Sequence, residues 1–497
     1  MSEHSASPSS SIAPRTDGST VAPCRGQLDL PCYVAGRKIE SDRKLEVLNP
    51  YTGDVVGVVT RASRADVDNA VETALSGGEP LTRYQRYEIL NRARTLLLER
   101  DEEFAHLITA ESGLCVREST YEVGRAADVL QFAAMESLRD DGQIFSCDVS
   151  PKGKARKIFT LREAHRLVVA ITPFNHPLNQ VLHKVAPAIA IGAPVILKPT
   201  EKTPLTAIRC VELLYEAGLP PWMLSVLVGP IDEVVDPLVR DPRVELVSFT
   251  GSARIGKLIA QTAGYKKLVL ELGGNAPLIV LDDADLDLAV SLAAEGCYRN
   301  SGQRCTAVKR LIIQDGILEA FTERFVERSR EYSYGDPMDP ETRVGTVIDE
   351  PAAIRLERVV KEAEEMGARV LLGGERRGAL LAPTVIADVP RTAEMVCEES
   401  FGPLAPIIAV RDLDDAIDVA NGTPYGLSSG IVTRDMEKAI SAVKRIRTGT
   451  VNINEVPGYR IELSPFGGIK DSGLGIKEGV IEAMKSMSYV KTFSLPW

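Results

Sequence analysis

A chain of 497 residues is longer than one hydrophobic core serves, so two or three domains are expected. Hydrophobic residues at 44% and charged residues at 26% suit a soluble globular enzyme, and a net charge of -11 argues against a nucleic-acid partner, which needs a broad basic face. A small anion could still be held in a local basic pocket. No apolar run reaches the roughly 18 to 20 residues that cross a bilayer.

Residues 1–27, rich in Ser and Pro without an apolar core like a signal peptide's, read as a disordered tail, and a cytoplasmic location is expected. The eight cysteines, at 24, 32, 115, 147, 210, 297, 305 and 397, show no metal-type pairs, so reduced thiols and no metal site are expected. Residues 33–39 read as a hairpin turned at Gly36. From Ser63, which can cap, Val67, Ala70, Val71 and Ala74 recur at helical spacing. Residues 83–100, 102–112 and 117–137 continue as amphipathic helices, the last carrying Arg125, which in isolation reads as a solvated charge. Residues 140–160 form a connecting arm.

An alternation of apolar strands and helices follows. Strands are expected at 167–171, 194–197, 225–228, 245–249 and 267–270, with helices at 182–191 and 203–216 between them. A second series runs from a strand at 277–281 through a helix at 286–295 and a strand at 308–313. Helices at 317–329 and 352–366 and strands at 369–372, 382–386, 406–410 and 448–454 continue it. Residues 489–493 read as an edge strand free to pair elsewhere. The pattern predicts an α/β protein with parallel sheets covered on both faces, an architecture that binds nucleotides.

The chemistry concentrates in a few stretches. Cys305 follows Arg304 and precedes Lys309 and Arg310; positive neighbours favour the nucleophilic thiolate, while Lys309 and Arg310, on the following strand, also read as structural. Gly251 and Ser252 lie at a strand-to-helix junction whose unpaired N–H groups suit a phosphate, without the glycine fingerprint of the usual dinucleotide fold. Lys198, Thr200 and Glu201 end another strand with groups that could hold ribose hydroxyls. Glu271 closes an apolar strand ahead of two glycines, where a carboxylate is costly unless used or paired.

Six motifs, Thr172-Pro-Phe-Asn-His-Pro177, Phe249-Thr-Gly-Ser252, Glu271-Leu-Gly-Gly274, Gly302-Gln-Arg-Cys305, Glu398-Glu-Ser-Phe-Gly-Pro403 and Pro465-Phe-Gly-Gly468, resemble the aldehyde dehydrogenase superfamily in order and spacing. The resemblance implies two parallel-sheet α/β domains and a small oligomerisation arm. An NAD-binding domain would take 28–139 and 161–271, a catalytic domain 272–455, and the arm 140–160 and 480–497. A homodimer or homotetramer would follow.

It further implies that Cys305 attacks the aldehyde carbon, that the Asn175 amide and the Cys305 N–H hold the oxyanion, and that Glu271 activates water against the thioester. Relatives that transfer the acyl group to coenzyme A typically lack that glutamate, so a non-acylating enzyme is expected, and a non-catalytic relative is not. Thr172, Pro173, Phe174, Lys198, Thr200, Glu201, Gly251, Ser252, Glu399 and Phe401 would bind the cofactor. Glu201 favours NAD by repelling a 2'-phosphate, with NADP as the alternative. Arg125, His176, Arg304, Thr306 and Arg460 would grip an anionic aldehyde. The set is most similar to the branch that oxidises phosphonoacetaldehyde to phosphonoacetate. A phosphorylated triose, a sulfonated aldehyde, lactaldehyde or succinate semialdehyde are the alternatives.

Overall fold

The computed structural model describes residues 28–497; the expected disordered tail, with Cys24, lies outside the described residues. Five parallel strands stand in the order Lys267–Glu271, Leu246–Thr250, Val168–Thr172, Val195–Pro199 and Leu224–Val226. Their residues are almost all buried, because helices cover both faces, and that is why the strands read as apolar runs rather than as alternation. The expected hairpin, Tyr33–Val34 with Arg37–Lys38, extends this sheet antiparallel. Ala35 and Gly36 take positive φ (45° and 77°) in its turn, the geometry whose twist matches that of paired strands.

The chain runs outward from Val168–Thr172 on one side and returns to Leu246–Thr250 on the other. This reversal opens a crevice beyond the C-terminal ends of these two strands, where open α/β sheets bind ligands. Pro173 and Gly251 begin the loops that line it.

A second sheet orders Arg369–Leu372, Thr384–Ala387, Leu404–Val410, Val308–Gln314, Ala276–Val280, Ser428–Val432 and Thr450–Ile453. Only the first pair is antiparallel. One continuous core, drawn from Leu30 to Leu272 and joined by Val480 and Met487, surrounds the first sheet, and two further clusters pack against the second. The short passage from Glu271 to Ala276 connects the sheets. It brings the end of one to the start of the other, where Cys305 precedes the strand Val308–Gln314.

A third, antiparallel sheet of Ser488–Pro496, Arg156–Ala164 and Ile144–Ser146 includes the connecting arm. The C-terminal strand, expected with a free edge, pairs along nine residues with Arg156–Ala164 of the same chain and leaves its other edge open. Phe159 stacks on Phe493 with ring centroids 5.3 Å apart. The preceding helix, Val480–Ser486, packs Val480 into the core of the first sheet, so residues 480–497 divide between that core and the arm.

The helix expected at 182–191 begins earlier, spanning Asn179–Ile191. Asn179, Gln180, His183 and Lys184 are buried in it, and a helix enclosed on all sides shows no polar face from which to read its start.

Candidate active site

Cys305 lies in the turn between the short helical turn Arg299–Gly302 and the strand Val308–Gln314. Three consecutive left-handed residues, Asn300, Ser301 and Gly302 (φ 52°, 53° and 70°), reverse the chain ahead of it. Lys309 then fixes the turn by donating to the carbonyls of Arg304 (2.7 Å), Cys305 (3.1 Å) and Gly274 (2.8 Å) and to Glu399 Oε1 (2.9 Å). Arg310 is buried and spends its donors on the carbonyls of Asn275, Val419 and Ala420.

These cations hold backbone, and their effect on the thiol is smaller than the sequence suggests. Burial pushes the Cys305 thiol above its ordinary range, against the pull of Lys309, Arg460 and Arg304. A resting thiolate is therefore not what the charges produce. Desolvation outweighs them, and the net shift is upward.

Asn175 follows the strand Val168–Thr172 and donates its side-chain amide to Gln303 O at 2.8 Å, which ties it to the cysteine loop. Glu271 ends the strand Lys267–Glu271, with both carboxyl oxygens buried and without a hydrogen-bond partner. Burial, reinforced by Glu478, holds its pKa well above the carboxylate range despite Lys184, Arg460 and Lys477. Behind it lies a fully enclosed ion pair, Lys184 Nζ to Glu478 Oε1 at 2.6 Å.

A cavity of about 630 Å³ brings together nine of the expected residues: Pro173, Phe174, Asn175, Gly251, Ser252, Glu271, Cys305, Glu399 and Phe401. Phe174 and Phe401 meet edge to face, 5.8 Å between centroids. Ser252 caps the helix Ala253–Ala263. Glu201 lines an adjoining cavity of about 640 Å³ that shares Lys202, Ile348 and Asp349 with the first. Thr172, Lys198 and Thr200 line neither of these two. Oxygens of Thr172, Glu201 and Thr250 are buried without partners, and burial lowers the Lys198 pKa. Unsatisfied polar atoms and a helix N-terminus around an elongated cleft suit the hydroxyls and phosphates of a dinucleotide.

Two of the expected substrate residues, Arg125 and Arg460, meet at a carboxylate that the sequence did not reveal. Glu462 pairs with Arg125 Nε, meets His183 Nε2 at 2.5 Å and lies 3.7 Å from Arg460 Nη2. Burial alone would raise its pKa, but His183, Arg460 and Arg125 hold it well below the carboxylate range. Arg125, solvated if judged alone, is thus largely enclosed, with 17% of its side chain exposed.

Arg304 has no ion-pair partner among the described residues. Burial, then Arg299 and Arg125, lower its pKa to about 10. A Cβ on Gly458 would stand 2.6 Å from Arg304 Nη2 and 2.7 Å from Thr306 Oγ1, so a guanidinium and a hydroxyl converge there. The His176 ring lies between Glu122 (3.3 Å) and Asn300 Nδ2 (3.2 Å), and burial lowers its pKa against the pull of Glu122. Arg460 Nη1 is buried without a partner.

Glu462, His183 and the Lys184–Glu478 pair escaped sequence reasoning. The one available signal was the run of polar residues inside an apolar helix, Asn179, Gln180, His183 and Lys184.

The model of the Aldehyde dehydrogenase family matches residues 37–493. The chain belongs to the aldehyde dehydrogenase family. It is 40% identical over 457 residues to a 3-sulfolactaldehyde dehydrogenase of Priestia aryabhattai, covering 92% of this chain and 96% of that protein. Among solved structures, it is similar to aldehyde dehydrogenase 21 of Physcomitrella patens in complex with the reaction product succinate. That match has a TM-score of 0.91 and 37% identity, covering 95% of this chain and 98% of the other. An NADP-dependent glyceraldehyde-3-phosphate dehydrogenase of Bacillus halodurans complexed with NADP matches with a TM-score of 0.92 and 34% identity, covering 94% and 99%. The expected fold is thereby shown, and the protein is an aldehyde dehydrogenase. The sequence resemblance within the family pointed to phosphonoacetaldehyde, whereas the curated relative named here acts on a sulfonated aldehyde. No helix among the described residues is long and apolar enough to cross a membrane.

Proposed function

We propose that this aldehyde dehydrogenase oxidises a small aldehyde bearing a tetrahedral oxyanion, using NAD or NADP, and releases the free acid. The carrying observation is Arg304: a largely enclosed guanidinium beside Cys305 with no carboxylate within ion-pair distance among the described residues. A charge in that position is costly without a partner, and an incoming phosphonate or sulfonate supplies one. Phosphonoacetaldehyde, yielding phosphonoacetate, is the first candidate, because Arg125, Arg304 and Arg460 with the Thr306 hydroxyl suit a dianion two or three atoms from the reacting carbon. The second is a sulfonated aldehyde, favoured by the similarity to 3-sulfolactaldehyde dehydrogenase.

The Cys305 thiol gives up its proton to solvent water and its sulfur adds to the aldehyde carbon, while the developing oxyanion accepts from the Asn175 amide and the Cys305 N–H, each donor contributing about 3 kcal/mol. Bound nicotinamide cofactor supplies a hydride acceptor. Glu271, once ionised, takes a proton from the water that attacks the resulting thioester, and the acid leaves. Glu201 disfavours a 2'-phosphate and makes NAD the preferred cofactor, although the similar structure from Bacillus halodurans holds NADP.

A panel of phosphonate, sulfonate, phosphate, carboxylate and neutral aldehydes, assayed at 340 nm with each cofactor, tests the reading. An oxyanion aldehyde should show the highest kcat/KM, with NAD ahead of NADP. Equal kcat/KM for neutral and anionic aldehydes would sink the substrate class.

A further inference from the structure

A second basic pocket of about 390 Å³ lies outside the cavity that holds Cys305. Four arginines, Arg117, Arg299, Arg328 and Arg343, line it, in a chain whose net charge is -11. Arg299 is paired with Glu118 (3.1 Å) and Glu295 (3.2 Å), and Arg328 with Glu331, so four cations face three anions and one positive charge remains. Arg117 and Arg343 have no ion-pair partner among the described residues. Two aromatic rings stiffen the walls: Arg299 lies over Tyr121 at 4.4 Å and Arg343 over Tyr332 at 5.4 Å.

This pocket is joined to the inner site by one helix. On Val116–Ser137, Arg117, Tyr121 and Arg125 recur every four residues, so they share a face. The rise of an α-helix carries that face about 12 Å from the outer pocket to the Arg125 that pairs with Glu462. Arg299 makes the same link through the chain, five positions before Arg304, and the two guanidinium groups lie near enough to repel. Arg299, which lines the outer pocket, and Arg125, on the same helix face as Arg117, both lie within electrostatic reach of Arg304.

We propose that Arg117, Arg299 and Arg343 form an outer anion site that receives the headgroup of the incoming aldehyde before Arg304 takes it. This rests on the anionic-substrate reading above and adds to it a route of entry. A locally positive mouth on an acidic protein raises the concentration of anionic substrate where it is needed and keeps neutral aldehydes at their bulk level. The two arginines leave by substitution without breaking any ion pair; because Arg343→Gln also removes the contact with the Tyr332 ring, the melting temperature of the double variant is measured alongside.

The experiment compares kcat/KM for phosphonoacetaldehyde and sulfoacetaldehyde with that for propionaldehyde, at low and physiological ionic strength, in the wild type, in Arg117→Gln/Arg343→Gln and in Arg304→Gln. In the double variant the anionic-to-neutral ratio should fall about tenfold, and the salt dependence of the anionic rates should flatten. An unchanged ratio in the double variant, with a collapsed ratio in Arg304→Gln, would overturn the outer site and leave the inner one standing. Unchanged ratios in both variants would overturn the anionic-substrate reading itself. Equal losses for all three aldehydes in the double variant would make the arginines merely structural and overturn the proposal.

Discussion

Replacing Glu271 by Gln separates the two halves of the proposed reaction. Neither carboxyl oxygen has a hydrogen-bond partner and the side chain is buried, so the substitution removes a proton acceptor without breaking a hydrogen bond. A positioned general base contributes about 10²- to 10⁴-fold, or roughly 3 to 5 kcal/mol of barrier, and only thioester hydrolysis should bear that loss. Rapid mixing with NAD and the best aldehyde should give a burst of one NADH per active site, followed by turnover slowed at least about 10²-fold. Because burial raises the Glu271 pKa, hydrolysis in the wild type should accelerate as pH rises through that raised value, whereas the variant should not respond.

The same shift sets the sign of a stability effect. In the unfolded chain the carboxyl ionises in the ordinary range, while in the folded protein it stays protonated to higher pH. Its contribution is full below the unfolded pKa and is lost as pH rises toward the folded one. The Tm of Glu271→Gln relative to wild type should therefore climb with pH. Turnover within about threefold of wild type, or loss of the burst together with turnover, would refute the assignment.

Because burial raises the Cys305 pKa, iodoacetamide should label Cys305 of the free enzyme slowly at neutral pH and faster only above the ordinary thiol range, as mass spectrometry would follow. Rapid labelling at neutral pH would show that the nearby cations outweigh burial after all. Removing the charge of Glu462 with Glu462→Gln leaves Arg125 and Arg460 enclosed without their shared carboxylate. Breaking a buried pair costs about 3 to 5 kcal/mol, so the melting temperature should drop by several degrees in calorimetry, and an unchanged value would contradict the ion-pair account.

The alternation of strands and helices, the hairpin at Gly36, the motifs and the immediate neighbours of Cys305 were all legible in the amino-acid order. Each of these depends on residues close together in the chain: apolar runs that form strands, caps that start helices, glycines that turn the backbone. The family motifs were equally readable, and nine of the residues they single out share one cavity.

Tertiary structure alone decided what the charges do. Arg125 and Glu462 are 337 positions apart, and nothing local to either predicts that they pair. Nearness in sequence left open whether Lys309 and Arg310 activate Cys305 or hold structure, and the fold spends their donors on carbonyls and, for Lys309, on the Glu399 carboxylate. The thiol and the Glu271 carboxyl are both shifted upward by burial, a property of the closed fold rather than of adjacent residues. Patterns of hydrophobicity are summed along the chain and can be read from it. An ionisable group's state depends on how much water and which distant partners surround it, and only the folded chain determines those.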